Sequence, residues 1–92
     1  MIQLTGAANA LNEMLAAIPP ESKRQYDYSF AISDRIDEIL KMRNLSKREF
    51  ARMVGKRPSE ISRWLAGTHN FTLATIAKIE ITLGTNLINI EH

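Results

Sequence analysis

An all-α bundle of about five helices is the fold this sequence predicts, with a helical N-terminal extension and a short extended C-terminal segment. Three observations predict it. Apolar residues recur at three- and four-residue spacing, as in Ile36, Ile39 and Leu40 or Ile61, Trp64 and Leu65. Gly55, Gly67 and Gly84 stand where successive helical patterns end. The 92 residues, 45% of them hydrophobic, suffice for one small core. That size excludes two large domains and a multi-layer enzyme with a deep cleft. The absence of cysteine excludes disulfides, thiolate chemistry and cysteine–zinc sites.

The elements follow in order. Residues 1–18 read as a short arm and a helix, with Leu11, Met14, Leu15 and Ile18 at helical spacing. Pro19 and Pro20 end it, because proline pushes its predecessor out of the helical region. Pro20 also suits the first turn of the next helix, where a missing N–H costs nothing. That helix reads from Glu21 to a stop at Asn44, with an alternative start near Ser29. Phe30, Ile32, Ile36, Ile39 and Leu40 supply its apolar face. Residues 46–54 form a short helix opened by a capping box, Ser46 with Glu49 three residues on. Phe50, Met53 and Val54 are its expected buried side, and Gly55 ends it. Pro58 opens a third short helix to about Ala66, with Ile61, Trp64 and Leu65 inward. Thr72 caps a last helix, 73–83, with Ile76, Ile79 and Leu83 inward. The β-branched residues of 86–91 permit an extended strand.

Charge is unevenly placed. The net charge is +2, yet residues 41–63 carry Lys41, Arg43, Lys47, Arg48, Arg52, Lys56, Arg57 and Arg63 against only Glu49 and Glu60. The flanking stretches, 1–29 and 69–92, are each slightly acidic. A local basic patch concentrates polyanions whatever the overall charge. No apolar run is long enough to span a membrane, and the first residues lack the basic start and long apolar stretch of a secretory leader. The cytoplasm is the expected location.

Two short helices joined by a glycine turn are the feature that carries function. A helix-turn-helix needs a small residue where its helices cross, glycine at the turn and apolar residues that dock both helices. Ala51, Gly55 and Ile61 stand at those places. At these residues the chain resembles the lambda-repressor-like helix-turn-helix domain, the XRE family. The resemblance covers residues 36–88. Residues 45–51 (LSKREFA) resemble its second helix, and 61–67 (ISRWLAG) its recognition helix with the glycine after it. Residues 72–79 (TLATIAKI) with Leu83 and Gly84 resemble its fourth helix. The stretch from Gly67 to Thr72 looks most like the antitoxin branch, whose members pair with a toxin.

The resemblance implies a recognition helix, about 58–66, lying in the major groove of double-stranded DNA. The base-contacting residues would be Arg57, Pro58, Ser59, Glu60 and Arg63. Helical geometry agrees: with Ile61, Trp64 and Leu65 inward, Ser59, Glu60, Ser62 and Arg63 must point elsewhere. Arg63 suits guanine, because a guanidinium bonds O6 and N7 together; Glu60 can accept from cytosine N4. Ser59 serves either base type, while Pro58 shapes the helix start or touches a thymine methyl. Phosphates would be held by Ser46 and Lys47 at a helix N-terminus, by Lys56, and by the loop residues Thr68, His69 and Asn70. The expected organisation is an N-terminal helical arm over 1–28 and a helix-turn-helix DNA-binding domain over 29–92. The expected role is transcriptional regulation, by repression, as a homodimer that pairs through 1–28 or 86–91. The alternative is an antitoxin that neutralises a toxin protein and autoregulates its operon.

Blander readings account for the other chemistry-bearing residues. Trp64 has core spacing rather than the setting of a base-stacking platform. His69 has no second histidine or carboxylate at ligand spacing, so no metal site is expected. Asp34 with Glu38 and Asp37 with Lys41 are i, i+4 neighbours on a wet helix face. No serine has the setting of an activated nucleophile. Neither an enzyme nor a cofactor is expected. Met14, Met42 and Met53 read as gap-fillers in the core. The chain departs from the family pattern at Lys56, Arg57, Leu65 and Phe71, of which the last two are candidates for an exposed apolar partner surface.

Overall fold

The computed structural model describes Glu13 and residues 17–90. Among residues 17–90 four helices follow one another: α1 (Pro20–Met42), α2 (Lys47–Val54), α3 (Pro58–Leu65) and α4 (Leu73–Leu83). The helix expected within 1–18 lies almost wholly outside the described residues. Residues 86–90 form no strand.

Pro20 opens α1, and Glu21 in the first turn and Lys41 in the last complement the helix dipole. The helix passes position 29 without a break, which decides between the two starts the sequence allowed. A buried line of Ser29, Ile32, Ser33, Ile36, Ile39 and Leu40 holds it to the bundle. Its exit turns on Asn44, at φ 54°. There the Leu45 N–H donates to the Leu40 carbonyl at 2.9 Å, closing orphan carbonyls as a left-handed residue allows.

Ser46 caps α2 as expected, its Oγ accepting from the Glu49 N–H at 3.0 Å. Gly55, at φ 74°, closes it, and the Lys56 N–H reaches back to the Ala51 carbonyl at 2.9 Å. Arg57 precedes α3 without any side-chain cap, so Pro58 carries that start alone. Thr72 caps α4 by accepting from the Thr75 N–H at 3.1 Å.

The largest fully buried side chains are Ile36 of α1, Phe50 and Val54 of α2, Ile61 of α3 and Ile79 of α4. All four helices thus meet in one core, where each such side chain contributes roughly 1.5–3 kcal/mol. Trp64 lies in this core, its ring 6.1 Å from both Phe50 and Phe71.

Several expected core residues lie elsewhere. Met53 is about half exposed, because the buried line of α2 runs through Phe50, Ala51 and Val54 and leaves position 53 on its flank. Met42 is 74% exposed, on the last turn of α1 past the Ile39 and Leu40 contacts. Phe30 leaves the core line and lays its ring against Gly67. Conversely, Leu65 and Phe71 pack half-buried against the core, which narrows the exposed patch expected of them. Leu87 and Ile88 also pack on the core, and the Glu80 carboxylate accepts from the Leu87 N–H at 2.7 Å and the Ile88 N–H at 3.3 Å.

Candidate nucleic-acid interface

Helices α2 and α3 meet as a helix-turn-helix requires. Ala51 is 2% exposed, small enough for close approach, and Ile61 is fully buried. Gly55 supplies the left-handed turn between the helices. Burying Ile61 and Trp64, with Leu65 half-buried beside them, turns the other residues of α3 outward. Arg57, Pro58, Ser59 and Arg63 are exposed and Glu60 is half-exposed, so none of the five residues expected at bases is buried.

The expected phosphate contacts differ in exposure. Ser46, Lys47 and Lys56 are exposed. The Ser46 cap leaves the Lys47 and Arg48 N–H groups in the first turn of α2 without intrahelical partners, at the positive end of the helix dipole. Thr68 and Asn70 are exposed in the loop after α3. His69 is half-buried, its ring edge-on to Phe71 at 4.7 Å and tilted to Trp64 at 6.5 Å. The aromatic packing therefore fixes this loop beside α3.

The electrostatics of the patch are those of a surface without internal compensation. Among the described residues, both ion pairs lie on α1: Arg35–Glu38 at 3.5 Å and Lys41–Asp37 at 2.8 Å. Lys47, Arg48, Arg52, Lys56, Arg57 and Arg63 have no carboxylate partner there. Like charges gathered in one short segment repel, and a polyanion relieves that repulsion.

Two cations fall differently from the sequence expectation. Arg43 counts towards the basic run, but its guanidinium donates to the Leu83 carbonyl and ties α1 to the C-terminus of α4. Lys78 of α4 lies outside that run, yet its Nζ is 3.9 Å from where a Cβ on Gly55 would stand. It adds a positive charge at the turn. Nothing local in the sequence marks Lys78, because only the packing of α4 on α2 brings it there. Arg48 and Arg52 are further exposed cations on α2 that the motif reading left without a role. Among the described residues, no three histidines or carboxylates stand together as a metal site.

Comparison with known proteins agrees with this geometry. No curated protein and no solved structure matches the chain. A family model described as Helix-turn-helix matches residues 36–88, more than half of the chain. The match begins at the most buried residue of α1, spans α2 to α4 and ends where Ile88 packs on the core. The chain belongs to the XRE-like helix-turn-helix family of DNA-binding transcriptional regulators.

Proposed function

We propose that the chain is a sequence-specific repressor that occupies an operator in double-stranded DNA. Helix α3 enters the major groove, with Arg57, Pro58, Ser59, Glu60 and Arg63 at the bases. Ser46, Lys47, Lys56, Thr68, His69 and Asn70 hold phosphates and set the register. The single observation that carries this reading is the set of six exposed cations on the helix-turn-helix that have no carboxylate partner among the described residues.

One such module reads only a few base pairs, and each mismatch costs about 1–3 kcal/mol. Useful specificity therefore calls for two copies, and the operator should be two-fold with half-sites about 10 bp apart or a multiple. In this reading residues 1–28 are an arm appended to a DNA-binding unit over 29–92, and the protein works in the cytoplasm. No helix among the described residues is long and apolar enough to cross a membrane.

Selection of a random duplex pool by the purified protein at about 150 mM salt tests the proposal. A two-fold enriched motif is expected, and its half-site spacing reports the dimer geometry. Folded protein that enriches no motif would overturn it. Pull-downs for a toxin partner would then test the antitoxin alternative.

A further inference from the structure

Helix α3 has eight residues, too few to hold its own conformation or direction in water. Its aim must come from what it packs on. Burial of Ile61 and Trp64 sets how deep it sits, but apolar contact is non-directional. The last carbonyls of a helix also lack intrahelical partners. In α3 the Arg63 carbonyl accepts from the Ala66 N–H at 3.2 Å. The next carbonyl, that of Trp64, accepts from the Ser33 hydroxyl of α1 at 2.5 Å. Ser33 is 2% exposed, and this bond joins residues 31 apart in sequence.

A second grip lies beside it. Phe30 stands three residues before Ser33, hence on the same side of α1. Its ring edge occupies the space that a Cβ at Gly67 would need. Gly67, at φ 98°, is where the chain leaves α3. One turn of α1 therefore holds the exit of α3 at two points, one directional and one steric. Arg63 lies next to the carbonyl that is held.

We propose that Ser33, braced by Phe30, is a positioning residue for Arg63: it fixes the orientation of the last turn of α3 and so aims the base-reading side of that helix. This rests on the reading that α3 enters the major groove. Removing the hydroxyl leaves the α2 cations untouched and lets the end of α3 reorient. Base discrimination should fall while phosphate attraction stays.

The experiment compares wild type, Ser33→Ala and Phe30→Ala on two duplexes. One carries the motif selected by the wild type, and the other is a shuffled duplex of equal length and composition. In Ser33→Ala the ratio of motif to shuffled affinity should fall about two- to tenfold, the range for one net hydrogen bond. Affinity for the shuffled duplex should hold. Phe30→Ala should shift the ratio the same way. A lower folded fraction weakens binding to both duplexes alike, so a parallel loss with an unchanged ratio overturns the proposal. If Ser33→Ala does not fold, Phe30→Ala decides: Phe30 is about half exposed, and an unchanged ratio there overturns it. A wild type that prefers neither duplex sinks the DNA reading first and this inference with it.

Discussion

Two stretches of this chain carry dense charge, and they treat it in opposite ways. On the C-terminal half of α1, Arg35 and Lys41 sit within reach of Glu38 and Asp37. The Asp37 carboxylate, by hydrogen bond and by charge, raises the Lys41 amine above its ordinary pKa. On α2, α3 and the turn between them six cations stand exposed with no such partner among the described residues. The first surface pairs its cations internally. The second keeps them for something outside the molecule. Charge counts already show the excess of cations in 41–63, and the structure adds which cations are paired.

The contrast can be broken most severely with salt. If six cations meet phosphates, raising salt from about 50 to about 200 mM should weaken DNA binding about a thousandfold. A shallow dependence in a titration series would mean that the unpaired cations do not engage DNA. Arg63→Ala comes next. It should cost about 1–3 kcal/mol on the selected motif and relax preference at one base pair. An unchanged motif after selection with that variant would remove Arg63 from the groove.

A matched pair of lysines sharpens the comparison further. Lys47→Ala should weaken all sequences alike and lower the salt slope by about 1. Lys41→Ala, on the self-neutralised face, should leave the slope as it was. Equal slopes for the two variants would erase the distinction between the faces. The smallest expected effect is that of pH on the Lys41–Asp37 pair. A raised lysine pKa stabilises below its unfolded value, and that contribution is lost as pH rises through the raised one. From neutral pH upward the pair should therefore stay intact until strong alkali. A melting temperature that changes between pH 6 and 8 and loses that change in Asp37→Asn would contradict it.

The motif itself was legible because its requirements are local. Ser46 with Glu49, Gly55, Pro58 and Thr72 mark where helices start and stop, and each acts through its own backbone or that of near neighbours. The outward set on α3 followed from periodicity once Ile61 and Trp64 were placed inside. The misassigned residues lie at the edges of apolar stripes. Met53, Met42 and Phe30 have core chemistry, but whether an edge position is covered depends on what packs against it. Composition cannot report that.

The sequence by itself therefore determined the order of the helices, the turn between α2 and α3, and the face of α3 that stays free. Backbone preference and helical period suffice for these, since both act over a few residues. Tertiary structure alone decided the assignment of Arg43 to the Leu83 carbonyl. It also decided the place of Lys78 at the turn and the hold of Ser33 and Phe30 on the exit of α3. Each of these joins residues far apart in the chain, and only closure of the core brings such partners within reach.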